Sequence, residues 1–89
     1  MKYQLTSQQI ASKVAGEMVI LNHEKGYYYG LSDVGVLIWE QMEKGPQTVE
    51  ELVVHVCAVY EVDPSACKAD IGDLLNDLIS EKLVEIAEA

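Results

Sequence analysis

Few side chains in this 89-residue chain are of the kinds that carry out chemistry. His23 and His55 are its two histidines, far apart in sequence, and neither has a Cys, Asp or Glu at metal-ligand spacing. Cys57 and Cys67 lie on separate predicted elements, with neither the C-x-x-C spacing of a redox or metal pair nor the density of a disulfide framework. They read as buried thiols acting as small hydrophobes. Asp70, Asp73, Asp77 and Glu81 are the one acidic series whose spacing suggests metal or acid–base work. On a helix, Asp70, Asp77 and Glu81 share a flank and Asp73 lies further round, which reads as a solvated face. No G-x-S-x-G, glycine-rich phosphate loop or H-E-x-x-H occurs. These residues point to no enzyme, no metal and no cofactor.

Composition narrows the partners. Hydrophobic residues make up 49% of the chain, enough for a folded core and too many for disorder. A chain of this length is expected to form a single domain over residues 1–89. No apolar run is long enough to span a membrane, and MKYQLTSQQI has no secretion-signal core, so a cytoplasmic location is expected. The net charge is −9, with six lysines and no arginine. Ten of the fifteen acids, but only Lys68 and Lys82 among the lysines, follow residue 44. Such a surface repels phosphates and anionic head groups, which argues against nucleic acid and membrane partners and favours a neutral or cationic one.

Three strand-like segments come first. QIASKV (9–14) and EMVILNH (17–23) flank an Ala15-Gly16 turn, and YYYGL (27–31) follows the loop Glu24-Lys25-Gly26. They read as an antiparallel meander. The period then becomes helical. Ser32 is expected to cap a first helix, with Asp33 in its first turn and a Leu31–Val36 staple. Val34, Leu37, Ile38, Gln41 and Met42 would form one face and Val36 and Trp39 the other, and Gly45-Pro46 ends it. Thr48 and Glu51 form a capping box for a second helix. Asp63 and Pro64 open a third, with Ile71, Leu74, Leu75, Leu78 and Ile79 as its core stripe and Val62 and Cys67 as a staple. Leu83 to Ile86 is either an edge strand or a packed tail. The expected class is α+β: a winged helix-turn-helix with a three-stranded antiparallel sheet followed by three helices.

A helix-turn-helix suggests DNA binding, but the outward positions of the third helix are acidic, and phosphate contacts come from Lys and Arg. The sheet edge is the more informative feature. Tyr27-Tyr28-Tyr29-Gly30-Leu31 holds three of the five tyrosines and has no charge, proline or obvious bulge to protect it. Tyrosine is enriched where apolar area and a hydroxyl are both needed at an interface. Residue chemistry alone leaves open whether this strand accepts a guest strand, pairs with another strand of the chain, or spends its tyrosines in the core.

GYYYGLSDVGVLIWEQM, then TVEELVVHV, Tyr60-x-Val62-Asp63, Asp70 and the ending LLNDLISEKLVEI together resemble the PqqD family over roughly Ile10 to Ile86. Each piece is weakly specific, whereas their order and spacing are strongly so. The resemblance implies a non-catalytic recognition element that holds the leader region of a ribosomally made precursor peptide and presents it to a downstream processing enzyme such as a leader peptidase. It implies that the leader adds as an antiparallel strand beside the third strand, in a groove walled by the third helix. Carried onto this sequence, the backbone partners are Tyr27, Tyr28, Tyr29, Gly30 and Leu31, and the facing helix flank is Cys67, Asp70, Ile71, Leu74, Asp77 and Leu78. Ser32 stands where the family often has Asn, and Lys82 where it often has Gly, so a less sharp last turn is expected. The resemblance points to a lasso-peptide pathway, where short stand-alone members occur. The alternatives are the partner serving quinone-cofactor (PQQ) biosynthesis and, outside the family, a winged-helix adaptor for a folded protein.

Overall fold

The computed structural model describes residues 1–7, 9–24 and 26–87, with Tyr27 described by its main chain. The order is β1 (Lys2–Leu5), β2 (Gln9–Val14), β3 (Glu17–Asn22), β4 (Tyr27–Leu31), α1 (Val34–Glu43), α2 (Val49–Val59), α3 (Pro64–Ser80) and β5 (Val84–Ala87). The class is α+β, with three helices and antiparallel sheets. One sheet runs β2-β3-β4 and a second is the pair β1-β5.

The meander forms because its turns suit the twist of its strands. Ala15 and Gly16 both have positive φ, 52° and 85°, the conformation that a tight two-residue hairpin requires. Gly26 has φ 73° and its N–H donates to the Asn22 carbonyl at 2.8 Å, closing the β3–β4 turn. Lys25 of that loop lies outside the described residues. Alternation then sends Met18, Ile20 and Asn22 to the buried face of β3.

β1 is absent from the expected order. MKYQL is short and shows little alternation, and it becomes a strand only through partners at the far end of the chain. Tyr3 pairs with Ile86 in β5 and, on its other side, exchanges main-chain bonds of 2.7 and 2.9 Å with Gln47. The tail Leu83 to Ile86 resolves accordingly as a strand, starting one residue later at Val84.

The helices keep most of their expected boundaries. Thr48 accepts from the Glu51 N–H at 3.0 Å, and Glu51 accepts in return from the Thr48 N–H at 2.9 Å. Asp63 accepts from the Ala66 N–H at 3.1 Å, and Pro64 occupies the first position, where no N–H is needed. Two expectations for α1 need correction. Ser32 is not the cap: the helix starts one residue later, with Asp33 at φ 49° and no side-chain cap bond. Its buried side chains are Val36, Ile38, Trp39 and Met42, so the buried arc is centred nearer Trp39 than the apolar period suggested. The layers on either side of α1 bury Trp39 completely.

α3 ends more sharply than expected. Lys82 adopts φ 63°, its N–H donates to the Ile79 carbonyl at 3.0 Å, and the Leu83 N–H reaches back to Leu78 at 2.9 Å. This is a complete Schellman closure without glycine, held by the burial of both Leu78 and Leu83. The Thr6 N–H and hydroxyl then donate to the carbonyls of Leu83 and Lys82, tying the first strand to this turn.

Asn22 joins sheet to helix. It is the buried polar residue of the core, its Nδ2 donates to the Glu81 carbonyl at 2.7 Å, and its Oδ1 accepts from the Glu24 N–H at 2.9 Å. Asn22→Ala is expected to cost about 1–3 kcal/mol, because it leaves shielded main-chain groups unpaired; urea unfolding measures this. Ala15→Asn is expected to raise stability by about 0.5–1 kcal/mol by relieving an alanine held at positive φ, seen as a higher urea midpoint.

Candidate functional site

Among the described residues β4 pairs with β3 alone, so its other side is an open edge. Which main-chain groups face that edge follows from the hairpins. In a two-residue hairpin the closing pair, here Val14 and Glu17, exchanges both hydrogen bonds. Bonding pairs recur every second residue, so Glu17, Val19 and Leu21 direct their main chain to β2, while Met18, Ile20 and Asn22 direct theirs to β4. Their partners there are Leu31, Tyr29 and Tyr27. The N–H and C=O groups of Tyr28 and Gly30 therefore point outward, two donors and two acceptors.

Side chains follow the same alternation. The Tyr28 side chain lies on the outer face, where the residue is 69% exposed. Leu31 is buried and Tyr29 half-buried on the inner face. The inner face looks towards α3. Burial raises the Tyr29 phenol above its ordinary pKa, and the negative charge of Asp77 raises it further. Asn22, beside Tyr27 in the register, holds the Glu81 carbonyl one helical turn beyond Asp77. β4 from Tyr27 towards Leu31 thus follows α3 from Glu81 back past Asp77 towards Leu74.

The expected site residues separate into three groups. Tyr28, Gly30, Asp70 and Asp77 are exposed, and Tyr29 and Leu74 are half-buried. Leu31, Cys67, Ile71 and Leu78 have their side chains in the core. Tyr27 contributes its main chain to β4, and its side chain lies outside the described residues. The structure places Leu31, Cys67, Ile71 and Leu78 in one core cluster, and the charge of Asp77 is felt at Tyr29. Asn22 was not anticipated at this edge, whereas Glu81 was expected on the acidic flank of α3 but not among the peptide-binding residues. A buried Asn at the end of an otherwise apolar strand was the available signal. Glu81 Oε2 is shielded from solvent with no hydrogen-bond partner among the described residues.

Burial pushes the Cys67 thiol above its usual pKa, with the neighbouring Cys57 the next cause. Cys57 Sγ lies 3.9 Å from the Val62 carbonyl. Among the described residues no group of three or more His, Cys, Asp or Glu is placed to hold a metal, and no helix is long and apolar enough to cross a membrane. Hollows of about 300 Å³ (Lys13, Asp33, Leu37, Glu40, Tyr60) and 340 Å³ (Thr6, Ile79, Lys82, Ile86) lie away from β4.

Known proteins share this fold. The family described as "Coenzyme PQQ synthesis protein D (PqqD)" matches residues 17–84. The solved structure "TbiB1 in Complex with the TbiA(beta) Leader Peptide" superposes with a TM-score of 0.87 at 31% identity, covering 97% of this chain and 99% of that one. "Lasso peptide synthetase B1 complexed with the leader peptide" superposes with a TM-score of 0.84 at 21% identity, covering 96% and 99%, and speaks to the fold alone. No curated protein sequence matches significantly.

Asp77→Asn is expected to lower the pKa of Tyr29, because it removes a negative charge that opposes phenolate formation. Ultraviolet titration against a Tyr29→Phe reference measures the shift.

Proposed function

The chain belongs to the PqqD family, and on that premise we propose that it recognises the leader segment of a ribosomally made precursor peptide as an extra antiparallel strand on β4. The observation that carries the reading is the one-sided pairing of β4, which leaves the main chains of Tyr28 and Gly30 facing solvent. Main-chain bonding gives sequence-tolerant affinity, and side-chain contacts along the inner face give selectivity. Tyr29 and Leu31, with Leu74 and Asp77 across from them, form that inner face. Cys67, Ile71 and Leu78 support it from the core, and Asp70 continues the carboxylate flank. Ser32 leads directly into α1, so the far end of β4 is anchored in the helical layer.

In this reading the domain does no chemistry itself. It holds the leader in an extended state so that a separate enzyme, such as a leader peptidase, works on the rest of the precursor. In the same reading the sheet and the three helices after it are a winged helix-turn-helix whose acidic third helix faces a peptide in place of nucleic acid. Leader binding is favoured by the 31%-identical neighbour, solved in complex with a leader peptide, and the sequence resemblance favours a lasso-peptide pathway. The family's own description favours the PQQ precursor as the second reading. The same strand addition serves both.

Hydrogen-bond parity supplies the test. Gly30→Pro removes an outward N–H that no strand of this chain uses, and proline is tolerated on such an edge. It is expected to keep the fold by circular dichroism while weakening binding of the TbiA(beta) leader peptide about tenfold in calorimetric titration, the loss of one bond plus its local fit. Tyr29→Pro removes an N–H bonded to Ile20 and is expected to lower the melting midpoint sharply. Equal effects of the two on folding, or undiminished binding by Gly30→Pro, contradict strand addition at β4.

A further inference from the structure

The register at the open edge says which guest side chain meets the carboxylates of α3. If Tyr28 and Gly30 exchange main-chain bonds with the guest, the guest residue between those bonds lies opposite Tyr29. In an antiparallel pair, opposite residues carry their side chains on the same face of the sheet. That guest side chain therefore enters on the inner face, between the Tyr29 ring and α3. The residues on either side of it point to the outer face, alongside Tyr28.

Asn22, paired with Tyr27, holds the Glu81 carbonyl at 2.7 Å, so the α3 turn that carries Asp77 runs beside this end of β4. Asp77 is exposed, and the ion pairs among the described residues are Lys13–Glu40 and Lys68–Glu50, so its charge has no cationic partner there. One helical turn on, Glu81 presents a shielded Oε2 with no hydrogen-bond partner among the described residues. Tyr29 offers a half-buried ring face. An alkyl stem ending in a positive charge satisfies both components, the stem on the ring and the head on the carboxylate. A norleucine-like side chain satisfies only the ring, and an acidic one is repelled.

We infer that the peptide this edge accepts carries a lysine or arginine at the position facing Tyr29, with Asp77 as its counter-ion. The inference rests on strand addition at β4 and adds the class of residue the site selects. It also assigns Asp77, rather than the overall acidity of the chain, as the determinant.

The probes are three nine-residue peptides, Val-Thr-Val-Thr-X-Thr-Val-Thr-Val, with X as lysine, norleucine or glutamate, so that X shares one strand face with the valines. Binding to the full chain is followed by amide shifts of Tyr28 and Gly30 and by fluorescence anisotropy. The lysine peptide is expected to bind about fivefold tighter than the norleucine peptide, the upper range for a solvent-accessible ion pair, and the advantage is expected to shrink with added salt. Asp77→Asn is expected to abolish the advantage of lysine over norleucine. Glu61→Gln removes the same charge from the exposed α2–α3 turn and is expected to preserve it. Equal affinity of the lysine and norleucine peptides, or an advantage that survives Asp77→Asn or is lost equally in Glu61→Gln, overturns the assignment while the shifts at Tyr28 and Gly30 still uphold strand addition. Absence of those shifts with every peptide overturns strand addition at β4 and the assignment with it.

Discussion

The main chain of β3 bonds alternately to β2 and to β4, and the character of the open edge follows from that alternation. Once Val14 and Glu17 close a two-residue hairpin, the direction of each N–H along the meander is determined. Tyr27, Tyr29 and Leu31 are committed to β3. Tyr28 and Gly30 are left over. A one-residue slip would reverse this and would also turn Met18, Ile20 and Asn22 out of the core, so burial of the inner face protects the edge geometry as well.

An unprotected edge is a hazard unless it has a use. The usual devices are charge, proline, a bulge or a covering element. β4 has no charged residue and no proline. On the opposite edge, β2 carries Lys13, whose ammonium reaches Glu40 of α1 at 3.0 Å. The contrast between the two edges is chemical: one carries a charged side chain tied to the helical layer, the other an unbroken run of tyrosines and glycine.

The helices contribute rigidity to that edge. α3 is locked at both ends, by the Asp63 cap at its start and by the Schellman closure at Lys82. Asn22 then joins the end of β3 to that closure through the Glu81 carbonyl. Because both ends of the chain meet in the β1–β5 pair and Thr6 bonds to the same turn, the wall beside β4 is held by residues from opposite ends of the sequence. The spacing between α3 and the end of β3 is thereby set within the chain itself.

Local sequence determined the parts that depend on neighbours in the chain. The meander, the capping box at Thr48 and Glu51, the Asp63-Pro64 start of α3 and the halt at Gly45-Pro46 all rest on residues within a few positions of each other, where turn and cap chemistry act. The tyrosine run at 27–31 was visible as an unusual strand for the same reason. Tertiary structure decided what depends on distant partners. β1 exists because β5 and Gln47 flank it, and Trp39 sets the buried side of α1 because layers on both sides cover it. Lys82 holds a left-handed turn because Leu78 and Leu83 are buried around it. The link from Asn22 to the Glu81 carbonyl is of the same kind: it arises from packing a helix beside the sheet, between residues 59 positions apart that no local pattern connects.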